Sequence, residues 1–330
     1  MAALTAAATV NNEPAAAAGE AADGGLADLT KKMAEVDLSG MSKEQRKRFE
    51  TARDDPELNV AKLIAKHRED IDTVKAACAK ELSSPTAGGI AYDDLFVVRY
   101  LKSRKGDVEK TIESVKACVE WRTENKAWIE KAKAGEKAPK HGEISKLSIG
   151  GLYKNTVLGE PLYIVRAGIS TPKELMKKFT PEEVVFWLNW NKEIGFQLCD
   201  KRTRASGRIT KMFNVVDLRD SSFWNNDKSF FKCLGDSSKH SEKFYPQLLG
   251  LSIVINLPSW ISAVMSLFSF LVPQSFLEKQ RFCYGRPGSK KQKNFKDQKI
   301  SKCPFASVFM DKADTPLFLG GEDAGCPYKP

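Results

Sequence analysis

The sequence predicts an α/β fold: a mostly parallel sheet flanked by helices and preceded by an all-helical region. Three observations carry this. Apolar residues keep a helical period up to about residue 134. A Lys/Gly/Pro-rich stretch, 131–141, then reads as a linker. Beyond it come short β-rich runs at 162–166, 212–216 and 251–255, with a weaker one at 281–284. Helical stretches at 181–200, 229–244 and 258–272 lie between them, and strands alternating with helices argue for parallel pairing through crossovers. The expected organisation is a tail over 1–41, a helical region over 42–135 and an α/β domain over 136–330.

The tail is rich in Ala and Gly, contains Pro14 and has almost no bulky apolar side chain. Such a segment cannot bury enough surface to offset its ordering entropy and is expected to be disordered. It lacks the basic start of a signal peptide and the arginines of a transit peptide, which favours a cytosolic protein. Ser42 and Gln45 then have the spacing of a capping box. Ala61, Ile64, Ala65, Ile71, Val74 and Cys78 recur at helical spacing until Ser84, Pro85, Gly88 and Gly89 break the run. A second helix is expected through 94–101. Gly106 ends it, and Asp107 can N-cap a third that passes Val119, Trp121 and Arg122.

Composition narrows the function. With 42% hydrophobic and 28% charged residues the chain is no collagen, coiled-coil rod or polytopic membrane protein. Its seven cysteines are odd in number and form no CxxC pair, so neither a disulfide framework nor a zinc site is implied and a reducing compartment fits. Three scattered histidines give no reason to expect a metal or another cofactor. The net charge is +10 overall but −4 over residues 1–40, which leaves a basic body suited to an anionic partner.

Between Phe244 and Leu277 there is no charged residue over 34 positions. Pro246, Gly250, Pro258 and Pro273 interrupt this run. Only 14 residues separate the last two prolines, about 21 Å of helix against roughly 30 Å of hydrocarbon, so it is no membrane span. On a helical wheel Ser259, Ser262, Ser266 and Ser269 share a narrow strip. Trp260, Ile261, Val264, Met265, Phe268 and Leu271 lie within the broad apolar arc. A surface helix would show Lys and Glu there. The stretch reads either as a helix inside a large core or as the wall and gate of an apolar ligand pocket.

Several motifs now align in order. They are the stretch from Asp94 to Lys110 followed by Val119-Glu-Trp-Arg122, Val215-Val-Asp217-Leu-Arg, Phe244-Tyr-Pro246-Gln-Leu-Leu-Gly250, Ile255-Asn-Leu-Pro258-Ser-Trp260 and Thr315-Pro-Leu-Phe-Leu-Gly-Gly321. Together they resemble the CRAL-TRIO lipid-binding family, which includes phosphatidylinositol/phosphatidylcholine transfer proteins. The resemblance implies a helical cap on an α/β domain that encloses an apolar pocket for one lipid, with the helix after Pro258 as a mobile gate. It also implies that headgroup contacts fall at Arg104, at Ser275 and, less directly, at Ser222. Gln247 stands where phosphoinositide-binding members carry Glu. Glu278 stands at their Lys position, with Lys279 one place on. That pattern favours an Arg104–Glu278 ion pair, which would turn the site from phosphatidylinositol toward an uncharged or zwitterionic lipid. The alternative is a one-residue shift that puts Lys279 at the headgroup position and keeps phosphatidylinositol.

Seven basic residues lie between Arg286 and Lys302. Lys290, Lys291, Lys293 and Lys296 among them are candidates for resting on an anionic membrane, and a solvated loop is the plainer alternative. A nucleic-acid surface would interleave aromatics, and this stretch holds only Phe295. No G-x-S-x-G is present, and the Gly235–His240 run reads as a helix terminus rather than a nucleophile with its base. The expectation is therefore a non-enzymatic, monomeric, cytoplasmic and peripheral carrier of a phospholipid or other hydrophobic lipid. A lipid-presenting interaction module is the alternative, and a nucleic-acid binder a weaker one.

Overall fold

The computed structural model describes residues 36, 39, 41–258, 270–283 and 300–328. The tail, apart from a few residues, therefore lies outside the described residues. So do the gate candidates Trp260, Ile261, Val264, Met265 and Phe268, and the basic candidates Lys290, Lys291, Lys293 and Lys296.

The chain opens with α1 (Lys43–Arg53), whose Ser42–Gln45 capping box is formed in both directions. The single helix expected through 61–78 is divided into α2 (Val60–Lys66), α3 (Arg68–Ala77) and α4 (Ala79–Leu82), with kinks at His67 and Cys78. Helix α5 (Asp94–Ser103) is buried along seven consecutive residues. Helix α6 (Val108–Glu124) starts at Asp107, whose side chain accepts from Lys110 N as its spacing predicts. The stretch read as a linker is instead partly helical, with α7 (Lys126–Lys133) entering it and α8 (His141–Leu147) leaving it.

Strand β1 (Gly150–Asn155) pairs antiparallel with β2 (Pro161–Val165). After α9 (Pro172–Lys178) comes α10 (Pro181–Ser206), a 26-residue helix opened by a Thr180–Glu183 capping box and closed by left-handed Gly207. The pair Glu182–Glu183 thus sits in a first turn, where negative charge suits the helix dipole. Then follow β3 (Met212–Asp217), α11 (Lys228–Phe244), β4 (Leu249–Ile255), the short α12 (Gln274–Leu277) and β5 (Gln280–Phe282). The sheet order is β1-β2-β3-β4-β5, parallel everywhere except at the β1 edge.

Strand periodicity divides the interior. Leu162, Ile164, Phe213, Val215, Ile253 and Ile255 point to one face and pack against Ile300, Cys303, Ala306, Leu319 and Cys326 from the C-terminal segment. There Cys283 and Cys303 form a disulfide with a Cα–Cα distance of 5.1 Å, which corrects the expectation of unpaired cysteines. The pairing follows from the end of β5 meeting a 3₁₀ turn at Ile300–Lys302, a contact that cysteine spacing cannot foretell. A separate core joins α3, α5 and α6 to α10 and to Phe244, Tyr245 and Leu248, so the helical region and the α/β region share buried surface.

Buried ion pairs lock this frame. Arg122 and Glu193 are 0% exposed and meet at 2.7 Å. Arg99 meets Asp200 at 2.6 Å, and Arg166 meets Asp217 at 3.3 Å. Asn256 donates to the other oxygen of Asp217 at 2.6 Å. The Val215-Val-Asp217 and Ile255-Asn motifs are thus tied to each other across the ends of β3 and β4.

Candidate functional site

The second face of the sheet carries Tyr163, Val165, Met212, Asn214, Val216, Ser252 and Val254. Part of this face packs against the helices, Met212 beside Gly195 of α10 and Val216 and Val254 with Phe231 of α11. The residues of this face also line a cavity of about 300 Å³ closed by Trp187, Leu188 and Lys192 of α10 and by Phe230, Phe231 and Leu234 of α11. Most of this lining is apolar, and burial pushes the Tyr163 phenol up to about 12. The alternation that builds the opposite core therefore also builds this chamber.

A second cavity, of about 260 Å³, adjoins it. Lys102, Arg104, Lys105, Lys192 and Lys279 line it together with Glu242, Glu278, Ser241, Gln247 and Ser275. The two cavities share Lys192, Met212, Asn214, Ser238 and Phe276 as common wall. Five headgroup candidates, Arg104, Gln247, Ser275, Glu278 and Lys279, thus converge although 175 positions separate the first from the last.

The sixth does not join them. Ser222 is exposed in the loop after β3, where its carbonyl accepts from Asn226. Its neighbour Ser221 lines the apolar cavity, because one step along an extended loop reverses the side chain. Leu271 of the gate candidates is half-buried and lines neither cavity among the described residues. Its backbone lies against α11 at Gly235, where a Cβ would come within 2.6 Å of the Leu271 carbonyl oxygen.

The expected Arg104–Glu278 ion pair is not made. Arg104 caps the C-terminus of α5, and its Nε donates to Ser114 Oγ at 2.8 Å. Glu278 is exposed at the end of α12, its backbone carbonyl taken by Arg281. A carboxylate at the solvent edge gains little by reaching inward, since water already solvates it. Lys279 is the more enclosed of the two. Burial lowers its ammonium below the ordinary lysine value, while Glu242 and then Glu278 act to raise it. Ser275 donates to Glu242 at 2.9 Å, and Gln247 donates to Ser103 at 3.0 Å. Because Glu278 has no buried partner, Glu278→Lys should move unfolding free energy by no more than about 0.5 kcal/mol in a denaturant titration. A loss above about 2 kcal/mol would mean that the acid is paired in solution.

The Gly235–His240 run is not a helix terminus, because α11 continues through it to Phe244. Ser237 and Ser238 face the chamber from this run, and Lys192 Nζ donates to Ser237 O and Oγ at 2.7 and 2.8 Å. His240 packs against Trp121 and Phe244. Burial, with the charges of Lys192 and Lys243 adding to it, pushes its imidazole down to about 4.

Residues 146–302 match the model of the CRAL/TRIO domain family. This part of the chain is similar to CRAL/TRIO domains. The matched span holds all five strands, together with the walls of both cavities contributed by α10 and α11. The chain is 25% identical over 193 residues to the Sec14 cytosolic factor of Schizosaccharomyces pombe, covering 57% of this chain and 65% of that protein. It is 25% identical over 245 residues to the SEC14 cytosolic factor of Yarrowia lipolytica, covering 70% and 44%. The phosphatidylinositol/phosphatidylcholine transfer protein SFH11 of Arabidopsis thaliana is 26% identical over 165 residues, covering 49% and 43%. The chain therefore spans less than two thirds of the length of these curated relatives. The crystal structure of Sfh5 aligns over 66% of this chain and 79% of its own at 16% identity, with a TM-score of 0.48.

The CRAL/TRIO motifs led to the residues of the polar cavity that lie on α5, after α11 and around α12. Lys192 escaped the sequence reading. Its one signal is position: Val185, Leu188, Gly195 and Cys199 form an uncharged stripe along α10, and Lys192 interrupts it at helical spacing.

Proposed function

We propose that this protein takes up one lipid, with its hydrocarbon in the chamber between the sheet and helices α10 and α11 and its headgroup in the adjoining basic cavity, and carries it between membranes. The observation behind this reading is the shared wall of the two cavities, one apolar and one lined by five basic and two acidic side chains. An amphiphile matches that division, whereas a soluble metabolite would leave the apolar half unfilled. The name of the plant relative, a phosphatidylinositol/phosphatidylcholine transfer protein, supports the same reading. In it the uncharged stretch 259–272 serves as the gate, Trp260 to Leu271 meeting lipid when it opens, and the protein acts as a stoichiometric cytosolic carrier without turnover chemistry. Among the described residues no helix is long and apolar enough to cross a membrane, so contact with the bilayer would be peripheral.

Native mass spectrometry of the purified protein, followed by solvent extraction, tests the proposal. One lipid mass per chain is the expected result, and a bare polypeptide mass after incubation with mixed phospholipid vesicles would overturn it. Delivery at the surface is assigned to the basic run. Changing Lys290, Lys291, Lys293 and Lys296 together to Gln should weaken binding to anionic vesicles by about 1 kcal/mol per residue at low salt. The difference should vanish near 1 M salt, where the Debye length falls to about 3 Å. Sedimentation with vesicles that is identical for both proteins at low salt would reduce this run to a solvated loop.

A further inference from the structure

Lys192, half-buried at the cavity wall, differs from three fully buried arginines of the fold. Arg99, Arg122 and Arg166 each face a carboxylate. Lys192 projects from the middle of α10 to the place where the two cavities meet, and its hydrogen-bond partners are the carbonyl and hydroxyl oxygens of one residue, Ser237. The neighbouring Glu193 points the other way, into its pair with Arg122. Ser237 is held as an acceptor toward Lys192, because its own hydroxyl donates to Asn189 Oδ1 at 2.7 Å and the residue is fully buried. An ammonium carries three donors, so one remains for a ligand.

Asn214 of β3 also lines both cavities, and its carboxamide oxygen is buried without a hydrogen-bond partner. Two unmet polar groups thus stand at one waist, with apolar walls on one side and a basic cavity on the other. A buried cation without an anion is unfavourable, and the imbalance is relieved either by losing the proton or by receiving an anion. Burial, with no carboxylate near enough to oppose it, pushes the Lys192 ammonium down to about 7, so both routes are open near neutral pH.

We propose that Lys192 is the seat for the acidic group of an amphiphile, a phosphate or a carboxylate, whose hydrocarbon fills the chamber lined by Trp187, Leu188, Phe230 and Leu234, the Asn214 oxygen being left to accept from a hydroxyl of the same ligand. This inference rests on the lipid-binding reading above and deepens it: the cargo carries net negative charge. A choline headgroup would place its cation among Arg104, Lys105 and Lys279, which disfavours phosphatidylcholine. An acid at Lys192 completes the missing pair without moving the frame.

The test uses the full chain incubated with three kinds of phosphatidylcholine vesicle: pure, containing phosphatidic acid, and containing oleate. Bound lipid is read by native mass spectrometry. The unmodified protein should load phosphatidic acid or oleate in preference to phosphatidylcholine, and whichever is taken identifies phosphate or carboxylate as the group. Lys192→Met should lower the ratio of acidic lipid to phosphatidylcholine at least about tenfold, the loss of one charge-assisted hydrogen bond. Lys192→Arg should keep the acidic preference. Should Lys192→Met fail to fold by circular dichroism, Lys192→Gln carries the same expectation. An unchanged ratio of acidic lipid to phosphatidylcholine in a folded Met or Gln variant would overturn the seat while leaving lipid binding intact. Absence of any lipid from the unmodified protein would overturn the underlying reading and the seat with it.

Discussion

Val216→Asp should abolish lipid loading while the empty protein still folds. Val216 faces the chamber from β3 and keeps part of its surface open to it. In the empty protein water can solvate a carboxylate there. In the loaded protein hydrocarbon would surround it, and an ionised group without partners in such a setting is unfavourable by several kcal/mol. At about 1.4 kcal/mol per tenfold change, loading should fall by at least roughly a hundredfold. Val216→Phe provides the complementary case, because it removes room without adding charge and should shift the bound mixture toward shorter chains. The readout is bound lipid by native mass spectrometry, with circular dichroism to confirm folding. Full loading of a folded Val216→Asp protein would remove the chamber from the binding site.

Glu193→Ala should be the most damaging single change to stability. Arg122 and Glu193 form a two-pronged pair, Nη2 to Oε1 at 2.7 Å and Nη1 to Oε2 at 3.1 Å, with neither side chain exposed. Arg122 also donates to the Ala87 carbonyl, and Gln197 donates to Glu193. Removing the acid strands a guanidinium between the helical region and α10, which costs about 3–5 kcal/mol. Replacing both partners, Arg122→Met with Glu193→Leu, should recover most of that loss, since no buried charge is then left over. Denaturant unfolding monitored by tryptophan fluorescence checks both. A single-variant loss below about 1 kcal/mol would show that water reaches the pair.

The architecture was largely legible because its signals are local. Runs such as Met212-Phe-Asn-Val-Val and Leu251-Ser-Ile-Val-Ile declare strands buried on both faces, and Ser42, Asp107 and Thr180 announce helix starts within a few residues. Strand β1 was not legible. It lies at the sheet edge with one buried residue, Gly151, so it lacks the hydrophobic run or alternation by which a strand is recognised. Helices α8 and α9 hold seven residues each, too few for a period to emerge.

The site divided in the same way. Arg104, Gln247, Ser275, Glu278 and Lys279 were found because ordered motifs flank them. The Arg104–Glu278 pairing failed because alignment gives position and says nothing of whether an exposed acid turns inward. Lys192 and Asn214 were missed for a different reason. Lys192 bonds to Ser237 with no carboxylate facing it, the Asn214 oxygen has no hydrogen-bond partner, and these are properties of three-dimensional surroundings that no spacing in the chain records.

The disulfide between Cys283 and Cys303 has a topological consequence. It encloses the basic run in a covalent ring, since the two cysteines bracket residues 284–302. A single protease cut anywhere inside that ring would open the backbone without dividing the molecule. The nicked protein would run as one species on a denaturing gel and separate into two fragments only after a thiol reductant is added. The segment between the two cysteines could thus be severed without being shed.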